Sequence, residues 1–136
     1  MNEKKRPHLS ASADKTVSII WFGILAMVAA ASLIPHAGPP DAGIGLDKAL
    51  HGIPYTLLAY MAMGLFQKRR TALLLAAAMV PTGFLLEIVQ SYIPGRTFSA
   101  GDMLANNLGV LAGLGMGILW RVKRRNARQH QKDLSL

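Results

Sequence analysis

"TVSIIWFGILAMVAAASLIP", residues 16 to 35, contains no charged residue and only three hydroxyls before Pro35, those of Thr16 and Ser18 at its start and Ser32 near its end. A helix rises about 1.5 Å per residue, so twenty such residues reach about 30 Å, the thickness of a bilayer's hydrocarbon core. The apolar residues are continuous and lack the three-and-four spacing of a helix lying on a soluble core, so the stretch predicts a membrane-spanning helix. It follows Lys4, Lys5 and Arg6 and contains "AAAS", which a signal peptide would also do. Its apolar core of about 18 residues is long for a signal's hydrophobic region, however, and the reading retains it as a helix.

Three further runs repeat the pattern: about Leu46 to Phe66, Thr71 to Ile93, and about Asp102 to Trp120. They are rich in Ala, Leu and Met and lack the two-residue alternation of barrel strands. With 136 residues, 51% of them hydrophobic, and no cysteine, one domain is expected, with neither a disulfide framework nor a thiolate metal site. The expected fold is an all-α membrane protein, a bundle of four transmembrane helices. Residues 15–120 form the membrane domain, and residues 1–14 and 121–136 form basic tails that are mobile at their ends.

Charge orients the bundle. Lys4, Lys5, Arg6 and Lys15 precede the first run, Lys68, Arg69 and Arg70 separate the second from the third, and six more basic residues follow the fourth. Thirteen of the fifteen basic residues thus fall on one side of a four-span arrangement, which places both termini in the cytoplasm. The formal charge of +8 is accounted for by orientation and by contacts to anionic lipid, and no nucleic-acid partner is expected. The expected location is the plasma (inner) membrane, as a multi-pass protein.

The opposite side collects the remaining polar groups. Asp47, His51 and Tyr55 recur every four residues, Glu87 and Gln90 stand three apart, and Asp102 and Asn106 four apart, so each set forms one stripe on its helix. A charge at mid-membrane costs about 2.5 to 3.5 kcal/mol, which turns such stripes toward one another or toward water. Gly109, Gly113 and Gly117 form two overlapping GxxxG patterns below Asn106, a face that lets a second helix approach closely. Pro54 and Pro81 each remove one helical amide, and a kink at either is weak evidence of movement.

Read in order, "DKALHGIPYTLLAYMAMG" and "LLEIVQSYIPGRTFSAGDMLANNLGVLAG" resemble the VanZ-like family of small membrane proteins, whose pattern is D-K-x-x-H…Y, then E-x-x-Q…P-G-R…S…D…N-x-x-G. The resemblance covers about residues 46 to 119. The matched positions are Asp47, Lys48, His51 and Tyr55, then Glu87, Gln90, Pro94, Gly95 and Arg96, then Ser99, Asp102, Asn106 and Gly109. The sequence departs at Gly52, where an aromatic commonly follows the histidine, and at Ala59, where a glycine is common. The family takes its name from a protein linked to low-level resistance to the glycopeptide teicoplanin. The resemblance therefore implies a membrane fold, a polar constellation and a setting among cell-envelope lipids, but not a reaction.

Simpler roles compete for several of these residues. Asp47 suits a helix cap, and "SAGD" is a capping box in which Ser99 satisfies the first amides of the fourth span. Asn106 and Asn107 suit bonds between helices, Pro94 and Gly95 a turn, and Tyr55 the membrane interface. His51 stands where Asp47 would orient its imidazole, a geometry shared by functional and structural pairs. Glu87 fits a simple role worst. It lies seven residues before Pro94, about 10 Å along the helix from that end and too deep to cap anything, so it calls for a partner such as Arg96 or Lys48.

Three readings of the cluster remain open. In the first, it binds an anionic lipid or glycan-lipid headgroup, with Lys48 and Arg96 donating to phosphate or carboxylate and Asp47, Glu87 and Asp102 taking sugar hydroxyls. In the second, His51 or Glu87 acts as general base on a lipid-linked envelope precursor while Arg96 stabilises an anion. In the third, the cluster is a structural latch in a larger envelope assembly. No cofactor is expected. A metal held by His51, Asp47, Glu87 and Asp102 is weakly specified, because Lys48 and Arg96 oppose a cation.

Overall fold

The structure, a computed structural model, describes the backbone of residues 11–34, 44–95 and 98–135 and the side chains of residues 15–34, 48–95 and 98–135. Four helices follow in order: α1 (Ala11–Ser32), α2 (Ile44–Leu65), α3 (Arg69–Gln90) and α4 (Ala100–Asp133). No strand occurs among the described residues. Three of the helices, α1, α3 and α4, are long and apolar enough to cross a membrane. Helix α2 is as long as α1 and α3 at 22 residues, but Asp47, Lys48 and His51 make its first turns polar.

The central pair is α2 and α4, which lie against each other more extensively than any other two helices. Small residues make this possible. A Cβ built on Gly109 would overlap the Gly52 carbonyl oxygen, one on Gly113 would overlap the Thr56 carbonyl oxygen, and one on Gly117 would overlap the Met63 side chain. The glycine face read from the sequence is therefore where α4 meets α2, and the approach is of backbone on backbone. Both departures from the family pattern sit in this seam. Gly52 faces the Ala105 carbonyl, with room for a Cβ only at 3.1 Å, and the Ala59 methyl faces Gly113.

Around this pair α1 and α3 complete the core, formed by Trp21, Tyr55, Leu58, Ala59, Ala62, Ala76, Met79 and Val110. Trp21 is fully buried and donates its indole N–H to the Leu58 carbonyl at 3.1 Å. At the far end Arg121 of α4 donates from Nε to the Met63 carbonyl at 2.6 Å and from a second nitrogen to the Phe66 carbonyl. Those carbonyls belong to the last turn of α2 and the residue after it, so Arg121 caps α2 from another helix. The outward faces remain apolar: Ile19, Phe22, Leu74, Leu85, Leu108 and Leu111 are all exposed. A soluble monomer rarely carries so much contiguous apolar surface, whereas hydrocarbon requires it.

The first and last helices run past the expected span boundaries. Helix α4 continues unbroken through Asp133, 34 residues in all. Nothing between Trp120 and Asp133 is Gly or Pro, and Arg, Lys, Gln and Ala favour the helix. Likewise α1 begins at Ala11, inside the segment read as an N-terminal tail. The prolines do not end their helices either, for α2 and α3 each run through Pro54 and Pro81.

Candidate functional site

The polar end of the bundle is organised by the start of α4. After α3 the chain turns at Ser91 to Gly95, where Gly95 adopts a φ of +83°, a left-handed conformation that a side chain would strain. Ser99 then caps α4 in extended conformation, its side-chain oxygen accepting from the Asp102 amide at 3.2 Å. This is half of the capping box expected from "SAGD". The other half is taken over: the Ser99 amide donates to Oε1 of Glu87 at 2.7 Å, from a different helix. The chain folds back along α3 far enough to bring Ser99 beside Glu87. The expectation that Glu87 is too deep to cap anything is thereby corrected.

Because Glu87 satisfies the Ser99 amide, the Asp102 carboxylate is free for other partners. Its Oδ1 accepts from Lys48, and its Oδ2 lies 3.4 Å from Nε2 of His51, so α4 is tied to α2 at two points. Gly101 makes room for this, since a Cβ there would stand 3.1 Å from Cε of Lys48. Sequence reasoning passed over Gly101. Its signal was a glycine inside a helix's first turn, where residues with side chains ordinarily serve better.

The three stripes converge, as their spacing required. One ring nitrogen of His51 and one carboxylate oxygen from each of Glu87 and Asp102 lie within 4.8 Å of one another, contributed by α2, α3 and α4. Glu87 and Asn106 are buried at 2% and 3% exposure, and Oε2 of Glu87 and Oδ1 of Asn106 have no hydrogen-bond partner among the described residues. Buried acceptors left unpaired each cost about 1 to 3 kcal/mol, and Glu87 within the cluster, with Asn106 one turn along α4 from Asp102, marks a place where a donor or cation is accommodated.

Other expected members are placed differently. Lys48 pairs with Asp102 rather than with Glu87. Gln90 is buried but turns its amide to α1, donating to the Ser32 carbonyl at 2.7 Å, and so closes the end of that helix instead of the cluster. Tyr55 is no interfacial aromatic: it is buried, with its ring and hydroxyl against Gly83 of α3. Arg96 and the side chain of Asp47 lie outside the described residues.

Comparison with known proteins places the chain in a family. An uncharacterized protein of Schizosaccharomyces pombe is 35% identical over 81 residues, which is 57% of this chain and 50% of that protein, so the chain spans about half the length of the curated relative it matches. No solved structure matches. The family described as VanZ/LLP1 matches residues 3–121, from ahead of α1 to the arginine that caps α2, and includes every residue of the polar cluster. The chain belongs to the VanZ/LLP1 family.

Proposed function

We propose that this protein spans the plasma membrane four times, with both termini in the cytoplasm, and binds the anionic headgroup of a lipid or glycan-lipid at the polar end of its bundle. The observation that carries the reading is the burial of Glu87 and Asn106, each with an unsatisfied oxygen, at the end of the bundle where Lys48 of α2 meets Asp102 of α4. A headgroup bearing both phosphate and hydroxyls matches it. Lys48 and Arg96 donate to the phosphate, and the buried acceptors take hydroxyl donors. The exposed apolar faces of α3 and α4 guide the acyl chains of the same molecule.

Topology is tested first. A reporter active only outside the cell is expected to be active when fused after Asp41 or Thr97 and silent after Arg69, since the basic residues favour one side. The opposite pattern would remove the outer-face site.

Binding is tested on purified protein with a panel of phospholipids and polyprenyl phosphates, by a shift in melting temperature and by direct lipid retention. Arg96→Ala and Lys48→Ala are expected to weaken retention of phosphate-bearing lipids about tenfold or more, as loss of a charge-assisted bond of about 1.5 to 3 kcal/mol implies. Glu87→Gln, which keeps an oxygen for the Ser99 amide, is expected to fold and to lose lipid selectivity.

The Lys48–Asp102 pair favours one competing reading, a latch between α2 and α4. Under it, exchanging the two residues restores melting and function together after each single change has lowered both. Under headgroup binding, the exchange restores melting alone. Turnover of a lipid-phosphate substrate, lost in His51→Ala, would instead favour the enzymatic reading.

A further inference from the structure

We infer that His51, Glu87 and Asp102 form a binding site for a divalent transition-metal cation, with Zn2+ as the best-matched ion. One imidazole and two carboxylates are ligands that Zn2+ and its neighbours accept, at bond lengths of about 2.0 to 2.2 Å. Two ligand atoms at such distances from a tetrahedral ion stand about 3.4 Å apart. The His51 Nε2 to Asp102 Oδ2 separation is 3.4 Å, and the three candidate atoms fit within 4.8 Å of one another, so modest closure about an ion completes the set.

The surroundings carry the argument beyond a mere cluster of acids. Glu87 is 2% exposed, and its Oε2 has no partner among the described residues, a costly arrangement that a bound cation resolves. Each carboxylate is oriented through one oxygen by a donor outside the triad. The Ser99 amide holds Oε1 of Glu87, and the Lys48 ammonium holds Oδ1 of Asp102. Metal-ligating carboxylates are commonly fixed in this way. The objection that Lys48 repels a cation loses force here, because Lys48 engages Oδ1 while Oδ2 faces His51. Three protein ligands leave a coordination position open. That this position takes a headgroup oxygen rests on the function proposed above; the cation site itself does not.

The test uses the full-length protein in detergent, stripped with a chelator and titrated with Zn2+ alone, with Mg2+ as comparison. One Zn2+ per chain is expected, together with a rise in melting temperature that Mg2+ does not reproduce. Co2+ in place of Zn2+ is expected to give the visible absorption of a four- or five-coordinate site. His51→Ala and Glu87→Gln are each expected to weaken binding at least a hundredfold, with Glu87→Gln retaining the metal-free melting temperature. Lys48→Met releases the Asp102 carboxylate and is expected to weaken Zn2+ binding about tenfold or more. Arg96→Ala, outside the proposed ligand set, is expected to leave Zn2+ uptake unchanged while weakening lipid retention, which separates failure of the cation site from failure of the headgroup reading. The chain also carries His8, His36 and His130, and the His51→Ala and Glu87→Gln variants distinguish adventitious uptake at these histidines from uptake at the site. Uptake that persists unchanged in both His51→Ala and Glu87→Gln, or no uptake by the unaltered protein, overturns the inference.

Discussion

Gly113→Ala is expected to destabilise the protein by about 3 kcal/mol, although it adds only one methyl group. The ordinary effect of this change in a helix is favourable by up to about 1 kcal/mol, because alanine restricts the unfolded chain. Here the new Cβ would overlap the Thr56 carbonyl oxygen and press on the Ala59 methyl. Neither neighbour is the free end of a flexible side chain. Relief requires α2 and α4 to separate, which also loosens Gly109 on Gly52 and lengthens the contacts among Lys48, His51 and Asp102. Gly115 lies two residues away on the same helix with nothing within 4 Å of a built Cβ, so Gly115→Ala is expected to be neutral or mildly stabilising. Melting curves of the two variants in one detergent check this. Equal melting temperatures would show that the α2–α4 seam is not set by backbone approach.

Trp21→Ala is the second change expected to act strongly, at about 3 kcal/mol, the lower part of the range for deleting a buried aromatic. Trp21 is fully buried, edge-on to Phe22 with ring centroids 5.0 Å apart and to Phe66 at 6.1 Å, and its N–H reaches the Leu58 carbonyl. Hydrocarbon surrounds the helices in either case, so the loss is of packing and one hydrogen bond rather than of burial from water. Trp21→Phe keeps most of the packing and is expected to cost about 1 kcal/mol for the hydrogen bond. Trp21 anchors α1 to the other helices, together with the packing of Ile24, Leu25 and Val28 on the core and the Gln90 bond to Ser32. Thermal melting compared with crosslinking between α1 and α2 tests this: crosslinking undiminished in Trp21→Ala would mean that other contacts hold α1.

Apolar run length alone determined that the chain is helical, with four helices in order, because a bilayer admits few other ways to satisfy a backbone. Periodicity likewise determined which residues share a face: the stripes of His51, Glu87 and Asp102 meet, and Gly109, Gly113 and Gly117 face a neighbouring helix, as spacing of three and four required. The extent of α4 beyond Trp120 was legible too, in its lack of Gly and Pro, but hydropathy drew attention to the span alone. Partner choice was not legible. Lys48 and Arg96 were equal candidates for Glu87 in one dimension, whereas in space Lys48 meets Asp102 and the Ser99 amide meets Glu87. Gln90 and Asn106 read alike as buried amides, yet one ends on the Ser32 carbonyl while an oxygen of the other is left without a described partner. Sequence spacing fixes direction around one helix axis. Which groups touch depends on how far each helix slides and rotates against the next, and that was decided by the glycine seam, the turn at Gly95 and the return of the chain along α3.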